Sequence, residues 1–150
     1  MKIIARRIGA CALLLLGLAL MSPLPAQSAA KPLKEQLVGH WQLASITIGE
    51  ATPYGAAPQG SMFLDAGGHV SVIVISDGGA RNISYFGTYT VDDAAKSMTI
   101  RVDGSSGGSG NAVGRSFKRR VQLQGDELVL ANDTPKKAPG VIKQTWKRAN

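Results

Sequence analysis

Eight short runs rich in Val, Ile, Thr, Tyr and Phe follow one another after residue 30, and no run there keeps helical periodicity beyond a turn or two. Such runs, separated by Gly, Asp, Asn and Pro, are typical of β-strands. The predicted strands are His40–Ile48, Gly60–Asp65, His69–Ser76, Ser84–Val91, Ser97–Asp103, Arg115–Gln124, Glu127–Asn132 and Val141–Arg148. The pattern predicts an all-β domain, and "KEQLV" before the first strand predicts one short helical turn.

The connections between these strands alternate in length. The second, fourth and sixth are tight turns ("AGG", "DDAAK" and "GD"), whereas the others are longer ("GEATPYGAAPQ", "DGGARNI", "GSSGGSGNAVG" and "DTPKKAPG"). Successive connections of an up-and-down antiparallel sheet fall at opposite ends, so all the long loops would share one end. Eight strands can close around side chains or one small ligand. We therefore predict a single eight-stranded antiparallel up-and-down barrel, with a flat sandwich as the alternative.

The first thirty residues have the features of a secretory signal. Three basic residues precede an apolar run over residues 8–21, and the small-residue stretch "SPLPAQSAA" follows. The run is short for a membrane span. We predict a signal peptide over residues 1–30, cleavage after Ala30, and a mature barrel domain over residues 31–150. The mature protein would be periplasmic or secreted, without a stable membrane anchor.

The mature domain differs in composition from the full chain. Three of the 17 Lys and Arg residues lie in the signal, so 14 remain against ten Asp and Glu, a net charge of about +4 that does not indicate nucleic-acid binding. Cys11 is the only cysteine and leaves with the signal. A domain without disulfides must rely on its core and its hydrogen-bonded strands. The remaining length suffices for one such domain, which we expect to be a monomer.

The two tryptophans lie near opposite ends of the mature chain, in "LVGHW" and "TWKR". In a closed barrel, the start of the first strand and the end of the last meet at the end with the tight turns. A buried tryptophan can seal that end. Gly39 would let the chain turn into the strand, and Arg148 would stack on an indole ring. We predict a structural floor formed by Gly39, Trp41, Trp146 and Arg148.

Gly39-His40-Trp41 at the head of the first strand, with an arginine near the end of the last, resembles the signature of lipocalins and the wider calycin group. The segments "LVGHWQLAS", "YFGTYTVD" and "LQGDELVL", in this order, resemble the bacterial lipocalin-like domain. The resemblance implies an eight-stranded barrel around a cup that carries or senses small, mostly apolar molecules. The cysteine pairs and C-terminal helix of many animal lipocalins are absent, so the resemblance does not indicate which ligand is bound.

Alternation along the strands assigns residues to the inner face. The predicted ligand-binding residues are Tyr85, Tyr89, Met98, Ile100, Val102, Phe117 and Arg119. Arg119 invites the sharpest hypothesis, because a buried guanidinium needs a partner. It could bind the carboxylate or phosphate headgroup of an amphiphile. The alternatives are an ion pair with a carboxylate, such as Asp65 or Asp103, or a bulge that turns Arg119 outward.

The third strand is apolar on both faces around Ile73 and Ile75, so the sequence does not decide which face points inward. Its outer face would be covered by the N-terminal segment or by a partner.

Patterns that support catalysis or metal binding are not found in the sequence. No serine has a GxSxG setting, and no His, Cys and carboxylate cluster has ligand spacing. We predict no cofactor. His40 is predicted to be a packing residue and His69 a solvated turn residue.

The favoured function is binding of a small apolar or amphipathic molecule in the barrel. The alternative is a non-catalytic interaction or inhibitor module, with a filled barrel and a protein partner held by its rim loops. An isomerase or cyclase would need an inward acid or base that no strand supplies.

Overall fold

A computed structural model describes residues 31–107, 112–132 and 140–149, so the predicted signal lies outside the described residues. One short helix precedes eight strands. These elements are α1 (Leu33–Leu37), β1 (Gly39–Ile48), β2 (Gln59–Leu64), β3 (His69–Ile75), β4 (Asn82–Asp92), β5 (Ser97–Gly107), β6 (Ser116–Gln124), β7 (Glu127–Asn132) and β8 (Ile142–Arg148). All eight predicted strands are confirmed, and their ends agree within two residues except at the end of β5.

The strands form one closed antiparallel barrel in which each pairs with the next and β8 pairs with β1. The prediction of an up-and-down barrel is confirmed, and the sandwich alternative is wrong. We call the end with the tight β2–β3, β4–β5 and β6–β7 turns the floor and the opposite end the mouth. Each strand therefore pairs with a neighbour on both sides along part of its length, and no strand lies wholly at an edge of the sheet.

One predicted loop is partly a strand. The stretch "GSSGGSG" reads as a flexible connection because Gly and Ser favour loops, yet β5 continues through Gly107. The reason is the long partner strand: Ser105 pairs with Tyr85 and Gly107 pairs with Ile83. Residues 108–111 of that connection, and residues 133–139 of the β7–β8 connection, lie outside the described residues.

An irregularity separates the two parts of the β4–β5 pair. The register shifts between Phe86 and Gly87, so that Phe86 faces Gly104 whereas Gly87 faces Val102. A Cβ atom at Gly87 would lie 1.9 Å from the carbonyl oxygen of Arg101, so only glycine allows the two backbones to approach this closely. This bulge keeps Tyr85 and Ser105 in register on the mouth side of the pair.

The predicted floor residues do meet at this end of the barrel. Both tryptophans are fully buried. The indole N–H of Trp41 donates to the carbonyl of Leu37, at 2.9 Å, and the guanidinium of Arg148 lies 4.2 Å from the centre of the Trp41 ring. Arg148 also donates to the carbonyls of Val38 and Gln36, at 3.0 and 2.7 Å. These contacts hold α1 across the end of the barrel.

Two details of the floor go beyond the prediction. Gly39 has φ +139°, and a Cβ atom there would lie 2.8 Å from a terminal nitrogen of Arg148, so glycine serves both the turn and the close approach of the guanidinium. The indole N–H of Trp146 is buried and has no hydrogen-bond partner in the described part of the chain. The two tryptophans are therefore equally buried, but only the indole N–H of Trp41 has a hydrogen-bond partner among the described residues.

The structure decides the orientation of β3. Val70, Val72 and Val74 point into the barrel and are buried, whereas Ile73 and Ile75 lie on the outer face, 49% and 36% exposed. Phe63 and Phe86 are exposed on the same outer face. The apolar character of both faces of β3 thus reflects a core face and a partly exposed surface.

Candidate functional site

A cavity of about 260 Å³ opens at the mouth of the barrel. Its wall comes from the mouth-side halves of several strands and from two connections. The aliphatic part of the wall consists of Ile46, Ile48, Val72, Val74, Ile83 and Ile142. The remaining lining side chains are Tyr54, Tyr85, Phe117, Arg115, Arg119 and Gln144. The cavity is therefore an apolar chamber with a few polar groups, which is the usual composition of a small-molecule site.

Below the cavity the barrel is filled. We call this region the floor-side core: Trp41, Leu43, Met62, Leu64, Val70, Tyr89, Met98, Ile100, Val102, Val121, Leu128, Leu130 and Trp146, all of them buried. None of these side chains lines the cavity. The barrel is thus neither fully open nor fully filled, and the boundary between the two states lies partway along the strands.

The predicted ligand-binding residues divide between these two regions. Tyr85, Phe117 and Arg119 line the cavity. Met98, Ile100, Val102 and Tyr89 belong to the floor-side core instead. The hydroxyl of Tyr89 donates to the carbonyl of Asp65 in the β2–β3 turn, at 2.7 Å, which ties this tyrosine to the floor. Alternation correctly separates inward from outward residues, but it carries no information on depth.

Arg119 lies on the inner face, because β6 keeps a regular register with both β5 and β7. Its guanidinium lies 5.4 Å from the centre of the Phe117 ring and donates to the backbone carbonyl of Lys118 at 3.4 Å. Among the described residues, no carboxylate forms an ion pair with it. Burial lowers the pKa of Arg119 below its ordinary value, and the neighbouring Tyr85 opposes that shift. The charge is thus partly withdrawn from water without an anionic partner from the described chain.

Both structural alternatives for Arg119 are wrong for the described residues. Asp103 pairs with Arg101 on the outside of the barrel, with 3.4 Å between the charged atoms. Asp65 binds the ring and the backbone N–H of His69 in the exposed turn at the floor, with both distances 2.8 Å. No bulge occurs near Arg119 in either strand pair. Arg119 therefore faces the cavity, and none of the described carboxylates balances its charge.

Tyr85 supplies the second polar group on this wall. Its ring lies 6.3 Å from that of Phe117, tilted by 60°, so the two rings form an aromatic corner. Burial raises the pKa of Tyr85 above 10.0, with a smaller opposing effect from Arg119. The hydroxyl is therefore protonated at neutral pH and can donate a hydrogen bond. It forms none with the residues that the structure describes.

The mouth is partly covered by the β1–β2 connection. Tyr54, in the middle of that connection, is buried against the cavity, and burial raises the pKa of its hydroxyl. Its carbonyl accepts a hydrogen bond of 2.8 Å from the backbone N–H of Asp77 in the β3–β4 connection. Tyr54 was not among the predicted site residues; an aromatic residue within a Pro-, Gly- and Ala-rich loop was the available signal.

Arg115 and Gln144 also line the cavity and were not among the predicted site residues. Arg115 lies just before β6, at the rim, and its side chain is exposed. Gln144 is half-buried on the inner face of β8, opposite Ile46. Both follow the alternation that assigned Arg119, since Arg115 precedes Phe117 by two residues and Gln144 precedes Trp146 by two.

Two grooves on the outer face of the barrel have volumes of about 330 and 730 Å³. The larger one is lined by the ring of His40, which stacks on Phe63 at 4.1 Å, and by Phe86. Despite its volume, this groove is an open surface depression, whereas the smaller mouth cavity is more enclosed. Arg119, which forms no ion pair with the described residues, also lines the mouth cavity, so we take this cavity as the candidate site.

The histidines do not line the mouth cavity. His40 shares a hydrogen bond of 2.7 Å with the hydroxyl of Ser61 on the outer face, and His69 begins β3 directly after the β2–β3 turn. The part of the chain that the structure describes has no group of three or more His, Cys, Asp or Glu side chains placed to hold a metal ion. Within the same residues, no helix is both long and apolar enough to cross a membrane.

Comparison with known proteins adds no family assignment. No protein-family model matches the chain, and no curated protein matches its sequence. The structure does show a closed eight-stranded antiparallel barrel, which is compatible with a lipocalin-like fold.

Proposed function

We propose that this protein is an exported lipocalin-like barrel that binds one small apolar or amphipathic molecule in its mouth cavity. The observation that carries the proposal is the coexistence of a packed floor and an enclosed apolar chamber of about 260 Å³ in one barrel. A domain that needed only a stable core would gain dispersion contacts by filling this space. The predicted signal over residues 1–30 supports export, and the resemblance at "LVGHW" supports the lipocalin-like assignment.

The polar groups of the cavity support an amphipathic ligand over a purely apolar one. Ligand sites combine an apolar wall with a small number of placed polar groups that fix orientation. Arg119, Tyr85 and Gln144 are such groups, surrounded by aliphatic side chains. The alternative, an interaction module acting through its rim loops, expects a filled interior, and the cavity does not favour it.

The first experiment is native mass spectrometry of the mature protein purified from its own cell envelope. The proposal expects a discrete, near-stoichiometric additional mass that is lost on denaturation. A cavity-filling variant, Val74→Trp, should carry no such mass, because Val74 lines the cavity. The matched control is Ile73→Trp, which adds the same side chain to the outer face of the same strand and should retain the mass.

Two results would contradict the proposal. One is a clean mass for the wild-type protein that also resists loading with small apolar molecules. The other is an additional mass that Val74→Trp and Ile73→Trp retain equally, because the molecule would then be bound outside the cavity. Circular dichroism of each variant shows whether the barrel has formed.

A further inference from the structure

We infer that the mouth cavity takes a compact organic carboxylate, a single ring or short branched body that carries one negative charge, with Arg119 and Tyr85 binding the carboxylate. This inference rests on the proposed function and specifies its ligand class.

The guanidinium of Arg119 has few partners among the described residues. A cation that is partly withdrawn from water is normally paired or hydrogen-bonded, because leaving it uncompensated is costly. Here the only polar contact within the described chain is the long, 3.4 Å bond to the carbonyl of Lys118. The Phe117 ring offers weak compensation from one side of the guanidinium. The rest of its hydrogen-bonding capacity is available to a ligand, and an anion satisfies it best.

Among anions, a carboxylate fits the groups around Arg119 best. A carboxylate matches a guanidinium in shape and accepts two parallel hydrogen bonds from it. Tyr85 can add a third, since its hydroxyl is protonated at neutral pH and is unbonded to the described residues. A phosphate monoester carries about −1.5 to −2 charges and favours more than one cation. The next cation, Arg115, lies four positions away along the chain, roughly 13 Å for an extended strand, and is exposed at the rim. A single partly buried cation therefore favours a monoanion.

The volume of the cavity limits the size of the uncharged part of the ligand. An apolar cavity of about 150 Å³ holds a benzene molecule, whereas sites for drug-sized ligands span about 300–1,000 Å³. A volume of about 260 Å³ lies between these cases and fits one ring with small substituents. The tilted pair of Tyr85 and Phe117 offers an aromatic corner for such a ring. Tyr54 limits the height of the chamber, so a long acyl chain would not be enclosed.

The test uses two probes of nearly the same shape, 4-methylbenzoate and the neutral 4-methylbenzamide, on mature protein that has been unfolded and refolded to remove any carried molecule. Affinities are measured by calorimetry or ligand-observed NMR. We expect the wild-type protein to bind the benzoate at least tenfold more tightly than the amide. Phenyl phosphate and hexadecanoate, as larger-charge and long-chain probes, should bind more weakly than the benzoate.

Three variants attribute the preference to the cavity. Arg119→Met should weaken benzoate binding by roughly 10- to 100-fold and leave amide binding nearly unchanged, because a charged hydrogen-bonding group is lost at constant volume. Arg119→Lys keeps the charge but loses the planar guanidinium, so its affinity for the benzoate should lie between those of the wild type and Arg119→Met. Lys118→Met removes a cation from the outer face of the same strand, and its affinities should equal those of the wild type.

The outcomes separate this inference from the proposed function. Equal binding of benzoate and amide, unaffected by Arg119→Met, would overturn the carboxylate and leave a neutral ligand in the same cavity. Preference for phenyl phosphate or for hexadecanoate would overturn the monoanion or the compact body, again with a binding cavity intact. Failure of every probe, together with a clean native mass, would remove both proposals.

Discussion

The floor-side core and the mouth cavity are built from the same strands and the same alternation, yet one is filled and the other is open. At the floor, two tryptophans and several long aliphatic side chains converge, and both indoles are fully buried. At the mouth, most inward positions hold Val or Ile, interrupted by polar residues. Three aromatic rings and two arginines also line the cavity, so the space at the mouth is not explained by small side chains alone.

The two regions also treat arginine differently. Arg148 at the floor is held by two carbonyls, an indole face and Asp126, 3.3 Å from its Nε atom. Arg119 at the mouth has one long bond to a carbonyl and one ring contact. The donors of Arg148 are used in holding the floor together, whereas most donors of Arg119 have no partner among the described residues. This contrast is what separates a stabilising residue from a candidate binding residue of the same type.

The largest expected effect compares an aromatic residue from each region. Trp41→Ala should lower the free energy of unfolding by about 3–5 kcal/mol, because it removes a fully buried indole with its hydrogen bond. Phe117→Ala, in the wall of the open cavity, should cost about 1 kcal/mol, because that ring is only half-buried. Urea denaturation monitored by circular dichroism measures both. Equal losses would mean that the mouth is as tightly packed as the floor.

The next comparison replaces each arginine with methionine. Arg148→Met should lower the free energy of unfolding by about 2–3 kcal/mol, since two carbonyls lose their donor and the indole loses its cation. Arg119→Met should leave the free energy of unfolding of the ligand-free protein unchanged or raise it by up to about 1 kcal/mol. Replacing a binding residue often stabilises a protein, because such residues are placed for function and not for stability. Thermal and urea unfolding of ligand-free protein are the measurements. A clear destabilisation by Arg119→Met would assign that residue a structural role.

A smaller effect distinguishes the two tryptophans of the floor. Trp41→Phe removes an indole N–H that donates to Leu37, whereas Trp146→Phe removes one that has no partner in the described chain. Both lose similar ring area, so Trp41→Phe should be the more destabilising by about 1–2 kcal/mol. Parallel urea titrations measure the difference. If the order were reversed, Trp146 would have a polar partner that the described residues do not include.

The smallest effect concerns alkaline pH. Burial raises the pKa values of Tyr54, Tyr85 and Tyr89 above 10.0 in the folded protein. As the pH rises, the unfolded chain therefore loses its phenolic protons before the folded protein does. The tyrosines contribute fully to the free energy of unfolding below pH 10.0, and this contribution is lost as the pH rises through the pKa values of the folded protein.

Tyr85→Phe should reduce this loss of stability at alkaline pH, with little effect at neutral pH. Tyr89→Phe should also cost about 1 kcal/mol at neutral pH, because its hydroxyl bonds to Asp65. Unfolding measured from pH 7 to 11 tests both variants, and a flat wild-type profile would contradict the expectation.

Much of the fold was predictable, because strand periodicity and turn chemistry act locally. The strand order, the ends of most strands and the inward side of β5 and β6 follow from such local patterns. The extension of β5 over "GSSG" was not predictable, since its cause is pairing with β4, a partner more than ten residues away. The site was only partly predictable for a related reason: Met98 and Arg119 share the inner surface and even pair across β5 and β6, but one is packed and the other lines a cavity.

The sequence by itself determined an all-β chain, its division into eight strands, the meeting of Trp41 with Arg148 and the presence of Arg119 on an inward position. Only the tertiary structure decided the orientation of β3, the height at which the core gives way to a cavity, and the lack of a carboxylate beside Arg119 among the described residues. Local sequence fixes which way a side chain points, because alternation has a period of two. Depth and partnership depend on the stagger of eight strands around a closed barrel, which no single segment encodes.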